Sequence, residues 1–138
     1  MQFRLCLLLL SLTIAPAIAA EQSFDMSTAI KAAGKLVDPG TTKAYIFFIP
    51  NGSPIDSTSR LLATNLSGLA EKKATVKVIG PDFRLNFEIL KAALLSAHPG
   101  SLDGAIVIFV GKEQDFAELE KIAAASGAAF RATTCCSK

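Results

Sequence analysis

Residues 43–80, KAYIFFIPNGSPIDSTSRLLATNLSGLAEKKATVKVIG, decide the fold. They hold a dense β-favouring run, a turn, a helical stripe and a second β-favouring run, which together spell a strand–helix–strand unit. Residues 43–49 (KAYIFFI) place apolar side chains on both faces, so they read as an inner strand covered on both sides. Pro50, Asn51 and Gly52 end that strand. Ser53 is placed to cap the next helix, Pro54 suits its first position, and Asp56 completes a capping box. Ile55, Leu62, Leu66 and Leu69 supply its buried stripe. Residues 74–79 (ATVKVI) alternate Val76 and Val78 with Thr75 and Lys77, a half-wet pattern that predicts an edge strand.

The same unit repeats outward from this stretch. After Gly80-Pro81-Asp82, the residues Phe83, Phe87, Leu90 and Leu94 recur at spacings of four, three and four, an amphipathic helix ended by His98-Pro99-Gly100. Residues 104–110 (GAIVIFV) are apolar on both faces and predict a second inner strand. Asp115 is placed to cap a further helix, with Glu118 in the capping-box position and Phe116, Leu119 and Ala123 facing inward. Gly127 stops it, as a left-handed terminal residue does. Residues 128–134 alternate weakly and predict an edge strand. Upstream, Met26, Ile30, Ala33 and Val37 form a short helical stripe that Asp38-Pro39-Gly40 ends.

Regular alternation of strand and helix predicts a small single-domain α/β three-layer sandwich with a mainly parallel four-stranded sheet. Inner first and third strands give the spatial order 2-1-3-4, and right-handed crossovers then place helices on both faces. That is a flavodoxin-like or Rossmann-like core. The alternative is a thioredoxin-like sheet, which also begins with strand, helix and strand.

Residues 1–20 read differently. Arg4 precedes an apolar run from Leu5 to Ile14, Pro16 breaks it, and Ala17 and Ala19 offer an A-x-A cleavage pattern. This is the layout of a cleaved secretory signal peptide. Its apolar run of about ten residues is half the length of a membrane span. The expectation is cleavage after Ala19 or Ala20, leaving 21–138 as one domain, periplasmic or secreted and not integral to the membrane. Of 14 Lys and Arg only Arg4 lies in this segment, so against 12 Asp and Glu the remainder is close to neutral. The basic residues are scattered and Trp is absent. A clustered basic face for nucleic acid is therefore not expected.

Candidate chemistry is sparse. In a 2-1-3-4 sheet the strand order reverses between the first and third strands, and ligands bind outside the carboxyl ends of strands at such a point. Asn51, Gly52, Ser53 and Lys112 are the candidate ligand-binding residues there, with Arg84 beside them and hydroxyls from Ser57, Thr58 and Ser59. Helix capping and turn chemistry account for the same residues without a ligand. Neither G-x-G-x-x-G nor a P-loop is present. His98 is the single histidine, and it falls at the end of the sheet opposite these loops. No catalytic residue, metal site or cofactor is implied.

Cys6 falls in the leader, so the mature part carries Cys135 and Cys136 alone. Four readings stay open for this adjacent pair: incidental thiols on a tail, a vicinal disulfide, a disulfide to another chain, or a soft-metal site. The leading functional expectation is an exported, non-enzymatic accessory or binding protein. It works through protein contacts, self-association included, at edge strands and the cysteine tail. The alternatives are thiol-redox or soft-metal chemistry at Cys135 and Cys136, and a small-ligand domain or minor enzyme at the sheet's carboxyl edge.

Overall fold

The computed structural model describes residues 24–136. The expected signal segment, with Arg4, its apolar run, Ala17 and Ala19, lies outside the described residues. The elements are α1 (Met26–Gly34), β1 (Ala44–Phe48), α2 (Ile55–Glu71), β2 (Thr75–Ile79), α3 (Phe83–Leu95), β3 (Ile106–Val110), a 3-10 turn (Glu113–Asp115), α4 (Phe116–Ser126) and β4 (Ala129–Thr133). All three strand pairings are parallel. The α/β class and the single four-stranded sheet are as expected, and the uniformly parallel pairing favours the flavodoxin-like or Rossmann-like class.

The strand order is not as expected. It is β1-β2-β3-β4, sequential across the sheet, and not 2-1-3-4. β1 is an edge and β2 is inner, the reverse of the sequence expectation. In β2, Thr75, Val76, Val78 and Ile79 are all buried. The polar alternation of β2 has a local cause: Lys77 stands in register between exposed Ile46 and buried Ile108, at the margin of the cover over that face.

Sequential order also changes where the helices lie. Parallel crossovers of one hand, each stepping one strand the same way, all fall on the same face. Leu62, Leu66 and Leu69 of α2, Ile89, Leu90 and Leu94 of α3, and Leu119 and Ala123 of α4 share one core with Val76, Val78, Val107 and Phe109. The opposite face carries Ile79, Ile108 and Val110, and its cover is α1 through Ala29 and Ala33, with Cys135 and with half-buried Phe24, Ile30, Leu36 and Val37 packed around them. The three layers therefore hold three helices on one side and one on the other. The buried side chains of α1 are alanines, which let helix and sheet approach closely, whereas Met26 is 40% exposed.

Capping follows the sequence in part. Asp82 accepts from the Leu85 N–H at 3.1 Å, as an N-cap does. Asp25 caps α1, accepting from the Ser27 N–H at 3.0 Å and from the Thr28 hydroxyl. The Thr28 hydroxyl bond, first among its contacts, holds the Asp25 carboxyl below its ordinary range. Ser53 does not cap α2: Pro54 takes the cap position, and the Ser53 hydroxyl turns back to the Pro50 carbonyl at 2.7 Å. Asp115 makes no side-chain cap bond, and Glu118 instead pairs with Lys91 of α3 at 2.6 Å. Gly127 ends α4 at φ +92°, as expected.

Candidate functional site

The loops at the carboxyl ends of the strands carry Asn51, Gly52, Ser53 and Lys112. Sequential order has no reversal, so the crevice that motivated the ligand expectation does not form between β1 and β3. The loop holding Asn51, Gly52 and Ser53 follows β1, and Lys112 follows β3. β2 lies between them, which separates the two strand ends by roughly 10 Å at ordinary inter-strand spacing. Lys112 lines a cavity of about 120 Å³ with Arg84, Phe87, Glu88, Gln114 and Asp115. Two acids and two bases share that small space, and the Asn51–Ser53 loop contributes no wall to it. Asn51 and Gly52 are exposed, and Gly52 takes φ +74° as the turn requires. Of the three hydroxyl candidates, Ser59 is buried and donates to the Asp56 carbonyl at 3.0 Å, so it serves its own helix.

Between these loops sits a residue the sequence reading passed over. Asn86 of α3 is fully buried, and its side-chain N–H donates to the Gly80 carbonyl at 2.8 Å. Its Oδ1 has no partner. A Cβ on Gly80 would lie 2.4 Å from the Ile49 carbonyl and 2.5 Å from Asn86 Oδ1. Glycine thus lets the turn after β2 lie flat against β1 while Asn86 holds it from below. The sequence signal was a polar residue between Phe83 and Leu90 on a face expected to be apolar. The arrangement is a clamp on the turn.

His98 is exposed and follows α3, at the amino end of β3, away from these loops. Among the described residues, no three His, Cys, Asp or Glu side chains gather as a metal site. No described helix is long and apolar enough to cross a membrane.

Among the described residues, three exposed large apolar side chains gather at the β1 edge. Tyr45, Ile46 and Phe48 are 42%, 43% and 40% exposed. Parallel register sets Tyr45 and Phe47 on the α2 side with Val76 and Val78, and Ala44, Ile46 and Phe48 on the α1 side with Lys77 and Ile79. α1 reaches the last three strands but leaves β1 bare. The backbone is open too. The Lys43 carbonyl and the Ile49 N–H bond to β2. Peptide groups alternate along a strand, so those of Ala44, Ile46 and Phe48 turn outward. On the α2 side a groove of about 320 Å³ runs along the edge, lined by Tyr45, Ile46, Phe47, Gly68, Leu69 and Lys72 among others. Lys43, Lys72 and Lys77 bring positive charge near the amino end and middle of the strand.

The cysteine pair does not dangle. Cys135 is 7% exposed and packs with Ala29, Ala33, Ile79, Ile108 and Val110. Cys136 is half-buried, its sulfur is at bonding distance from that of Cys135, and it also lies 3.7 Å from the Asp25 carbonyl. Of the four readings, a bond within the chain is the one this geometry takes. Near the other end of α1, Arg131 of β4 donates to the Leu36 carbonyl at 2.7 Å and grips Asp38 with two bonds at 2.9 and 3.1 Å.

No family model, no curated protein and no solved structure matches this chain.

Proposed function

We propose that this is an exported, non-enzymatic binding protein, and that its β1 edge takes an extended segment of a partner protein as a fifth strand. One observation carries the reading: a strand with apolar side chains on both faces and outward peptide groups that no strand of the described residues pairs. An open edge is a template for strand addition, in which backbone bonds give affinity and side-chain pockets give selectivity. The groove beside Tyr45 and Gly68 receives one face of the added strand, and the bare ground around Ile46 and Phe48 receives the other. Lys43, Lys72 and Lys77 favour a segment that is apolar in the middle and acidic at one end. Export is supported by the arrangement of Arg4, the apolar run and Ala17-x-Ala19.

The test is a titration of residues 21–138 with short extended peptides of alternating Val and Thr, ending in either acidic or basic residues. Amide chemical shifts are followed throughout. The expected result is saturable movement of the Ala44, Ile46 and Phe48 amides with the acidic peptides. Ile46→Pro removes an outward N–H that β2 does not use, so it abolishes binding with the fold kept. Shifts confined to the loops at Gly52 and Lys112, or turnover of a small molecule by the purified domain, would overturn the reading. Concentration-dependent sedimentation through the same strand would make the partner a second copy of the chain. Sequencing the amino terminus of the exported protein checks cleavage after Ala19 or Ala20.

A further inference from the structure

The binding edge leaves Cys135 and Cys136 unexplained. They follow β4, the other edge strand, after Thr134, and pack beneath the start of α1. We infer that the pair is a dithiol–disulfide exchange site, attacked at Cys136, whose opening frees the amino end of α1.

Three observations point this way. First, the two sulfurs are unequal: Cys135 is buried against Ala29, Ala33 and Ile108, while Cys136 is half-open to solvent. In thiol–disulfide exchange the accessible sulfur is attacked and the other departs. Second, Cys136 holds φ +61°, a left-handed conformation that a side chain disfavours. Closing a ring between neighbouring residues holds the chain there, and opening the ring lets it relax, which favours a readily reduced bond. Third, the Cys136 sulfur touches the carbonyl of Asp25, the residue that caps α1. What happens at the sulfur is therefore felt at the first turn of the helix that covers this face.

The substrate class is a dithiol, either a small molecule or a pair of cysteines on a redox partner. One thiolate of the dithiol attacks Cys136 Sγ. The bond between the two cysteines breaks, and Cys135 leaves as a thiolate that takes up a proton. A mixed disulfide now joins Cys136 to the dithiol. The second thiol of the dithiol, deprotonated, attacks its own sulfur in that bond, and Cys136 departs as a thiolate and is protonated in turn. The protein disulfide has gained two electrons and two protons, and the dithiol has lost them. The reverse sequence re-forms the ring.

The experiment uses residues 21–138 isolated without reductant, with dithiothreitol as the dithiol. Intact mass after alkylation is expected to show a two-hydrogen deficit and no label before reduction. Two labels follow reduction, and the deficit returns on reoxidation with oxidised dithiothreitol. Limited alkylation of the reduced protein, mapped by peptide, places the first label on Cys136 with at least a tenfold preference. The variants repeat the comparison: Cys135→Ser leaves a thiol that meets Ellman's reagent at least tenfold faster than the one left by Cys136→Ser. Amide exchange at Ser27, Thr28 and Ala29 speeds up on reduction, while that at Leu90 in the other core does not change. Two labels without reduction, equal labelling of the cysteines, a disulfide joining two chains, or unchanged exchange in α1 would each overturn the inference.

Discussion

The two faces of the sheet are built to different standards. One is sealed by α2, α3 and α4, each bound to the sheet by the strands before and after it, with Leu62, Leu66, Leu90 and Phe109 fully buried. The other is covered by α1 and its flanks, which precede the sheet; only alanines of α1 are buried there, with Phe24, Ile30, Leu36 and Val37 half-buried around them. The difference comes from connectivity. A sheet laid down in chain order sends every crossover to one side, so the second side must be covered by something outside the βα repeat. Here that cover is held near one end by the Arg131 hydrogen bonds to Leu36 and Asp38, and near the other it rests on buried Cys135, with the Cys136 sulfur packed beside the Asp25 carbonyl. It stops before β1, which is why that strand stays bare.

The contrast can be broken from the sealed side first. Gly80→Ala forces a methyl group onto the Ile49 carbonyl and Asn86, and unfolding experiments should show a loss of about 3 kcal/mol or more. Leu66→Ala, in the same core, is expected to cost about 2–5 kcal/mol in denaturant melts. Asn86→Ala strips the Gly80 carbonyl of its buried donor and should cost about 1–3 kcal/mol. A smaller loss from Asn86→Ala than from a surface substitution such as Lys121→Ala would mean that the clamp is ornamental.

The thinly covered side answers differently. Arg131→Ala should lower global stability by only about 1 kcal/mol, since the partly exposed pair with Asp38 is screened by solvent. Hydrogen exchange in α1 should nonetheless rise well above that in α3, because α1 opens as a separate unit. Equal protection of the two helices would erase the distinction between the faces. Acid acts on the same helix. The Asp25 carboxyl titrates below its ordinary range, so the stability it confers is present above the unfolded carboxylate pKa and lost as pH falls through the lower folded value. The start of α1 is expected to fray below about pH 4 before the sealed core melts. The smallest effect belongs to the bare edge: Ile46→Thr, at a 43% exposed position and keeping a β-branched side chain, should change stability by less than about 1 kcal/mol, while removing apolar contact from the proposed binding strand.

Much of this was legible in the residues. The four strands fall where apolar runs predicted them, and Asp82 and Gly127 bound their helices as capping chemistry requires. Strand order was not legible. An apolar run such as AYIFF means that a strand can be covered on both sides, and says nothing about whether its own domain does the covering. Tyr45, Ile46 and Phe48 produced an inner-strand reading for the very strand that the described residues leave open. Lys77 misled in the opposite sense, since one half-buried charge at the margin of α1 has the signature of an edge. The ligand expectation for Asn51, Gly52, Ser53 and Lys112 depended on that order and lost its crevice with it. Asn86 was missed because a buried amide is visible only through its partner, the Gly80 carbonyl six residues earlier.

Sequential strand order also bears on how the molecule comes into being. Each strand pairs with its immediate successor through a crossover helix, Ala44 with Thr75, Thr75 with Ile106 and Ile106 with Ala129, so no strand of the sealed core has to skip over another, though parallel pairing across such a crossover is slow to close. As the polypeptide emerges from its amino end, the sheet can grow by accretion, one strand and helix at a time. α1 is the exception. It is made first, yet Arg131 and Cys135, which fix it, are made last. The first of the described helices must wait for the last strand, and a nascent chain halted before Ala129 carries a growing sheet with one face still lacking what fixes its cover.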